Sequence, residues 1–358
     1  MIRRYLDNYK EFGCIAADCP DTCCSGWLIE IDEESLDRFS GVSKSDIDFE
    51  GRVNFSDGCF FQAPNKDCAF LLESGLCKMQ KEYGEEMLCY TCDMYPRHVE
   101  EFPDVREYSL SASCPVVAKD IVGKTDYISL VEEIDGEPDP DSIDEYEDYN
   151  DLLYDKLLLI REKIMTVLKG VGSFDEKSEV VLGVMCDVQE DLDLGIYDGI
   201  ENAFDDILKF DKKEDFASFD AYLSDLKTMD TLESLREDFV SWIQAMLKML
   251  EEIFCDDAKD CEEQYRQFES ECKNIDLIQC NVAIYFIFTY FCGAVYDNYV
   301  YSAARLAIYS ARVIKILAFA KWLEEGKANI DVIIYKFCRE LEHSNDNLNL
   351  IKQELDLQ

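Results

Sequence analysis

The stretch CIAADCPDTCCSGW, residues 14–27, places four thiols within eleven positions and decides what the first third of the chain can build. Ten of the seventeen cysteines precede residue 115, and they are Cys14, Cys19, Cys23, Cys24, Cys59, Cys68, Cys77, Cys89, Cys92 and Cys114. The other seven are scattered through a much longer region, as ordinary small hydrophobic side chains are. The clustering predicts a metal site built from thiolates.

The cysteines are expected to be reduced, because the N-terminus does not direct the chain to an oxidising compartment. Residues 1–10, MIRRYLDNYK, carry charge without an apolar stretch behind them, so they do not form a secretory signal. We therefore expect a cytoplasmic protein whose cysteines are thiols or metal ligands and not disulfides.

The spacing favours an iron-sulfur cluster, with zinc as the alternative. A structural zinc site closes with four ligands in two pairs, whereas this set is larger and contains the adjacent Cys23 and Cys24. Adjacent thiols cannot easily share one tetrahedral zinc, and thiolates in larger number suit iron-sulfur clusters. The Cys19-x3-Cys23 spacing does not match a radical S-adenosylmethionine site, since Gly26 stands where a third cysteine is needed.

Other kinds of site are disfavoured. His98 and His343 are the chain's two histidines, so sites with several histidine ligands are nearly excluded, and a lone histidine is usually structural. The sequence has no GxxxxGK[ST] loop, and the glycine pair within residues 170–172 follows a predicted helix. A Rossmann-like nucleotide fold is therefore not supported.

The charge balance points to a protein partner. Lys and Arg number 35 against 77 Asp and Glu, which gives a formal charge of -42. Such a field repels phosphate backbones and anionic lipid, so we expect no nucleic acid partner and no membrane insertion. It attracts a lysine-bearing protein surface, although solubility alone is the other explanation.

The first part of the chain, residues 1–131, is predicted to be a small irregular α+β domain that binds metal through its cysteines. Trp27–Ile31 and Tyr108–Ala112 alternate as short strands do. Asp32 can cap a helix that runs to Phe39, and a second helix is predicted from Leu76 to Gly84. So few regular elements need a staple, which a metal supplies.

The remainder is predicted to be helical, so the fold class is mainly α. Residues 132–150 are rich in acids and contain two prolines, which predicts an acidic linker before a helical domain at residues 151–358. The segment 277–296 is uncharged, and we predict a buried core helix there rather than a membrane span. Apolar periodicity predicts helices at residues 152–168, 176–190, 232–254, 277–296, 299–323 and 329–343.

These residues resemble the flagellin lysine-N-methylase family, part of a wider cysteine-cluster group thought to chelate zinc or iron. The resemblance covers the first third of the chain, in order and spacing. It is carried by the Cys14 to Trp27 stretch, by CAFL (68–71), GLC (75–77), TCDMYPR (91–97) and SLSASCP (109–115). Eight cysteines match the family's pattern, and the resemblance implies that the metal ligands come from Cys14, Cys19, Cys23, Cys24, Cys68, Cys77, Cys92 and Cys114.

Two cysteines and one arginine stand beside this pattern. Cys59 and Cys89 are extra to it, although Cys89 could substitute for Cys92. Arg97 is the cation nearest a matched cysteine in sequence, so it is a candidate for binding a cofactor carboxylate or a cluster sulfide. A structural hydrogen-bond donor is the other interpretation of Arg97. In the helical part, Arg305, Arg312 and Lys315 could line a carboxylate pocket or be ion-paired.

The resemblance implies a protein lysine N-methyltransferase that transfers methyl groups from S-adenosylmethionine to surface lysines of flagellin and needs a [4Fe-4S] cluster. Such chemistry needs a neutral lysine amine in line with the donor, so an apolar or tyrosine-lined pocket must oppose the negative field of the protein. The alternative is a zinc- or iron-chelating interaction or electron-transfer protein without methyltransferase activity.

Overall fold

The computed structural model describes residues 1–43, 47–134, 149–209, 219–256 and 258–356, and most of these residues lie in helices. The strands are β1 Ile2–Leu6, β2 Val53–Asn54, β3 Cys59–Phe60, β4 Arg97–Phe102, β5 Val105–Leu110 and β6 Leu130–Ile134. The helices are α1 Glu33–Ser40, α2 Lys78–Tyr83, α3 Tyr90–Met94, α4 Pro115–Gly123, α5 Asp151–Leu168, α6 Phe174–Asp193, α7 Phe219–Lys227, α8 Glu237–Asp256, α9 Ala258–Glu271, α10 Ile275–Tyr290, α11 Ala294–Asp297, α12 Val300–Glu325, α13 Ile330–Glu342 and α14 Asn345–Asp356. The predicted class, mainly α with a small sheet in the N-terminal part, is confirmed.

A four-stranded sheet with the order β4-β5-β1-β6 collects the N-terminal strands. β4 and β5 form an antiparallel hairpin, β1 runs parallel to β5, and β6 closes the sheet antiparallel to β1. The Glu107 carboxylate on β5 forms a bidentate ion pair with Arg161 of α5, at 2.5 Å for each N to O distance. Both side chains are almost completely buried, so this pair joins the sheet to the helices.

The cysteine-rich segment has a core of its own. Phe39, Phe49, Phe60 and Phe70 stack or meet edge to face, with ring centroids 4.4–6.3 Å apart. Short elements surround these rings, and Phe60 lies on β3 of the small β2–β3 hairpin. The aromatic core is small, as is expected for a segment with few regular elements.

Asp32 caps two helices of this segment. Its carboxylate accepts the backbone N–H of Ser35 in α1 at 2.9 Å, as predicted, and the backbone N–H of Tyr90 at the start of α3 at 2.8 Å. Burial opposes ionisation, but the hydrogen bonds from these N–H groups lower the pKa of Asp32 overall. Because the folded pKa lies below the unfolded value, the stabilisation is present above about pH 4 and is lost as the pH falls through the folded pKa.

Asp32→Ala is therefore expected to lower the free energy of unfolding by about 1–2 kcal/mol at pH 7, since two caps are lost. The difference from the wild type should shrink below about pH 4, where the wild-type carboxyl also becomes protonated. Urea unfolding at several pH values measures this. Asp37→Ala, at an exposed position of α1, is the matched control. A difference that stays constant with pH would contradict the cap.

α10 and α12 form the centre of the helical part. α10 has buried residues from Ile275 to Phe288, and α12 from Val300 to Ala320. Within the described residues, Ile275–Asp297 is long and apolar enough to cross a membrane, with a mean hydropathy of 1.6, and 83% of its apolar window is buried inside the protein. The predicted buried helix at residues 277–296 is confirmed.

A group of buried charges ties the helices together. The Asp225 carboxylate of α7 lies between two α12 arginines, 2.6 Å from Arg305 Nη2 and 2.7 Å from Arg312 Nε. Lys315 Nζ lies 2.7 Å from Glu269 of α9. Asp225 and Arg312 are 1% or less exposed. Arg305, Arg312 and Lys315 are therefore ion-paired.

Local sequence patterns predicted several elements only in part. The predicted strand Trp27–Ile31 forms a single bridge, between Glu30 and Cys59, although Ile29 and Ile31 point into the core. The predicted strand Tyr108–Ala112 corresponds to the end of β5, and the helix predicted from Leu76 is α2. β1, β4, β6, α7, α9 and α14 were not predicted, because their sequences are short or strongly polar.

The predicted domain bounds, 1–131, 132–150 and 151–358, stay a prediction. β6 occupies the first residues of the predicted linker, and 135–148 lie outside the described residues. The main hydrophobic core contains Leu6, Leu110 and Val117 together with residues of the helical part. The core of the cysteine-rich segment, between Cys24 and Cys92, is separate from it.

Candidate metal centre and the adjoining polar seam

Three thiols form a hydrogen-bonded chain in the cysteine-rich segment. The buried Cys24 side chain contacts Cys23, its neighbour in sequence, and Cys77 at the N-cap of α2. The hydrogen bond with Cys24 lowers the pKa of Cys77 to about 6 and also lowers the pKa of Cys23, whereas the pKa of Cys24 itself is raised. Thiolates are the form that binds metal.

A second thiol pair lies nearby at the start of α3. Cys89 is the N-cap and is fully buried, and the Cys92 thiol hydrogen-bonds to it. This bond, together with the backbone N–H of Cys92, lowers the pKa of Cys89. Cys68 is close enough for its charge to interact with those of Cys77 and Cys89, and burial raises its pKa to about 12. The structure thus places Cys89 beside matched cysteines, although the sequence interpretation set it aside.

Cys14, Cys19 and Cys114 form a further group, which adjoins Cys23. The Cys19 thiol donates to the Asp21 carbonyl at 2.9 Å, and Cys114 is the N-cap of α4. Charge interactions connect Cys114 with Cys19 and Cys14, and Cys19 with Cys23. Cys59 has Asp57 and Glu30 as its charged neighbours and stands apart from both groups.

The donor set suits a soft metal, because it consists of thiols. Within the described ranges, however, no three His, Cys, Asp or Glu side chains are arranged so that they could hold a metal ion as they stand. The thiols would have to turn toward a common centre when metal binds. The eight-cysteine ligand set and the identity of the metal therefore stay predictions.

The cation that lies near the thiols is Arg339 and not Arg97. The Arg97 guanidinium lies over the ring of Phe12, 5.2 Å from its centroid, so its role toward a cofactor stays a prediction. The charge of Arg339, on α13, lowers the pKa of Cys23 and opposes the upward shift of Cys19. Sequence reasoning missed Arg339 because more than two hundred positions separate it from the last clustered cysteine.

A polar seam joins α13 to the cysteine-rich segment, and we define it as Tyr95, Ser111, Ser113, Glu342 and His343. Glu342 Oε2 accepts the Ser111 hydroxyl at 2.8 Å and the Ser113 backbone N–H at 3.2 Å. Glu342 Oε1 accepts the hydroxyls of Tyr285 and Tyr290, the latter at 2.9 Å. Burial raises the pKa of Glu342, while these four donors stabilise its ionised form.

His343 lies at the other end of the polar seam. Its Nε2 is 3.0 Å from Ser113 Oγ, and the imidazole stacks on the Trp27 indole with ring centroids 4.4 Å apart. Tyr95 meets the imidazole edge to face and contacts Ser113 Oγ at 3.0 Å. Burial, aided by the charge of Arg339, lowers the pKa of His343 to about 3, so the imidazole is neutral at physiological pH.

Arg339 connects the polar seam to the first cysteine loop. Its Nη1 lies 2.8 Å from Asp21 Oδ2, and its Nε donates to the Ser113 carbonyl at 3.1 Å. The Trp27 indole N–H donates to the Cys23 carbonyl at 2.9 Å. The C-terminal end of α13 therefore contacts the loop between Cys19 and Cys23 through Asp21 and the turn before Cys114 through Ser113. The two halves of the chain meet here.

Comparisons with known proteins point to one family. The family described as FliB lysine N-methylase C-terminal domain matches residues 173–358, just over half of the chain. The flagellar biosynthetic protein FliU of Salmonella muenchen is 28% identical over 135 residues, 34% of this chain and 78% of that protein. Lysine-N-methylases of Salmonella typhimurium and Salmonella choleraesuis are each 28% identical over 131 residues, 34% of this chain and 33% of those proteins.

The aligned part of the chain thus spans about a third of the length of the two lysine-N-methylases. No solved structure matches the chain.

Proposed function

Since this chain belongs to the FliB lysine N-methylase family, we propose that it is a protein lysine N-methyltransferase that uses S-adenosylmethionine and acts on surface lysines of flagellin. The match of the C-terminal domain of FliB lysine N-methylase to residues 173–358 carries the proposal. That range begins at the cap of α6 and includes α13, whose end meets the cysteine loops. The proposed site is therefore at the polar seam and not within the cysteine-rich segment alone.

The chemistry of the substrate supports a lysine-rich protein surface. The charge of -42 attracts cationic proteins and raises the rate of encounter. The same field would keep a lysine amine protonated, so a local environment must oppose it. Tyr95 within the polar seam, and Tyr285 and Tyr290 beside it, would supply such an environment. Flagellin is the proposed substrate because relatives are named as a flagellar protein and as lysine-N-methylases.

We also propose a [4Fe-4S] cluster, with zinc as the alternative metal, held by four of the clustered thiols. Cys23, Cys24 and Cys77 are connected by hydrogen bonds, and so are Cys89 and Cys92, so these two sets are the first candidates for the ligands. When bound, the cluster would cross-link an irregular segment and add a redox-active centre to it. Such a cluster needs reduced thiols, which agrees with the predicted cytoplasmic localisation.

The first test is methyl transfer itself. Anaerobically purified protein, incubated with methyl-labelled S-adenosylmethionine and flagellin, is expected to transfer label to flagellin. Flagellin whose lysines have been acetylated is the matched control and should stay unlabelled, because an acetylated amine is not a nucleophile. Label on the acetylated control, or none on intact flagellin with metal-loaded protein, would contradict the proposed function.

A further inference from the structure

The hydrogen bonds of the polar seam have one direction. Glu342 in its ionised form only accepts, so the Ser111 hydroxyl must donate its one hydrogen to Oε2. Ser111 Oγ is also in close contact with Ser113 Oγ, and that bond must then use the hydrogen of Ser113. Ser113 Oγ therefore acts as acceptor toward Tyr95 and His343. It follows that His343 Nε2 carries a hydrogen.

This direction leaves the other imidazole nitrogen, Nδ1, with a free lone pair. In the described part of the chain, Nε2 bonds Ser113 whereas Nδ1 has no hydrogen-bond partner. His343 and Trp27 are both partly exposed, so a side chain can approach this end of the polar seam. The indole and the phenol ring of Tyr95 would pack against the aliphatic part of a lysine.

We propose that His343 Nδ1 accepts the proton of the substrate lysine and that the polar seam conducts a proton to Glu342, an inference that rests on the proposed function. The lysine Nζ–H bond breaks and its proton binds Nδ1, while the Nε2 proton moves to Ser113 Oγ. The Ser113 proton moves to Ser111 Oγ, and the Ser111 proton moves to Glu342 Oε2. The lone pair of the neutral amine then forms the new N–C bond, and the S–C bond of the sulfonium breaks with its electron pair left on sulfur.

The surroundings of both ends support this path. Burial and the charge of Arg339 keep the pKa of His343 low, so the proton does not stay on the imidazole. Burial raises the pKa of Glu342, which Tyr285, Tyr290 and Cys338 face, so its carboxylate accepts the relayed proton more readily than an exposed glutamate would. Arg339 also disfavours a second cation beside His343, and the bound lysine is thereby favoured as a neutral amine.

A structural latch between α13 and the Ser111–Ser113 turn would use the same hydrogen bonds, so the test must separate the two roles. Ser113→Ala interrupts the relay with the loss of one hydroxyl. It is expected to lower kcat about 100-fold with little change in KM. Ser178→Ala is the matched control, because Ser178 is also fully buried and, among the described residues, its hydroxyl bonds only the Phe174 carbonyl of its own helix.

A less basic acceptor provides the decisive readout. When the target lysine of flagellin is replaced by S-(2-aminoethyl)cysteine, the amine loses its proton more easily, and the deficit of Ser113→Ala should shrink about 10-fold. His343→Gln should show the same partial rescue. A latch would leave the deficit unchanged by the acceptor. If the wild type is active and the kcat of Ser113→Ala is within about twofold of the wild-type value, the relay is overturned while the proposed function stands. A wild type that methylates neither acceptor would overturn the proposed function and the relay with it.

The tautomer can be observed without any turnover. The chain's two histidines are His98 and His343, so histidine labelled with nitrogen-15 gives two sets of ring signals. The His343 set is expected to show a neutral ring with the proton on Nε2. A His343 ring protonated on Nδ1 alone would overturn the direction of the relay.

Discussion

Asp225→Asn is expected to lower the free energy of unfolding by about 3–5 kcal/mol, because the change leaves two buried guanidinium groups without a counter-charge. Asp225 lies 2.6 Å from Arg305 and 2.7 Å from Arg312, and all three side chains are at most 8% exposed. Asparagine keeps the size of the side chain and removes the charge. The loss therefore reports the ion pairs and not a cavity.

Urea unfolding measures this prediction as a lower midpoint with an unchanged slope. Asp205→Asn is the matched control, because it removes a carboxylate that pairs with Lys163 at 2.6 Å on the surface, with 63% of the Asp205 side chain exposed. The control should cost less than about 1 kcal/mol. If Asp225→Asn costs no more than Asp205→Asn, the buried charges do not hold the helices together.

Cys77→Ser is expected to lower the iron and acid-labile sulfide content of anaerobically purified protein about 10-fold. The pKa of the Cys77 thiol is lowered to about 6, because Cys24 hydrogen-bonds to it. A serine hydroxyl does not ionise near neutral pH, so this ligand is lost while the side chain keeps its size.

Cys59→Ser is the matched control for this experiment. Cys59 is buried in the same segment, but its charged neighbours are carboxylates. It should retain the metal content of the wild type. Equal retention by Cys77→Ser and Cys59→Ser would remove Cys77 from the ligand set. Stoichiometric zinc without sulfide in the wild type would replace the iron-sulfur cluster by the zinc alternative.

The helical half was predictable because its helices are long and carry apolar periodicity. The stretch at 299–323 was predicted and is α12, and the stretch at 329–343 is α13 with His343 at its C-cap. α9 was missed, because its sequence AKDCEEQYRQFESE is largely polar. Its place in the fold comes from a few contacts, such as Phe268 in the core and Glu269 with Lys315.

The site was predictable only as far as local spacing carries information. Clustering identified the thiols, and their order along the chain carried the family resemblance. The Cys89-x2-Cys92 spacing already places these two thiols close together, whereas tertiary packing brings Cys68 near them and leaves Cys59 beside carboxylates. Clustering alone could not separate Cys68 from Cys59.

The polar seam could not be predicted from the sequence, because its members lie far apart. Ser111 and Glu342 are separated by 231 positions, and each is unremarkable in its own segment. A lone histidine is usually structural, and His343 became a functional candidate only when its partners were known. Local patterns do not encode contacts of this range.

Mass spectrometry of flagellin peptides, after incubation with the wild-type protein and S-adenosylmethionine, tests whether this chain methylates lysine. Methyl groups are expected on the side-chain nitrogen of lysine residues, and they should require both the donor and the metal-loaded protein. Peptides without methylated lysine, obtained with protein whose iron and sulfide have been confirmed, would contradict the proposed function.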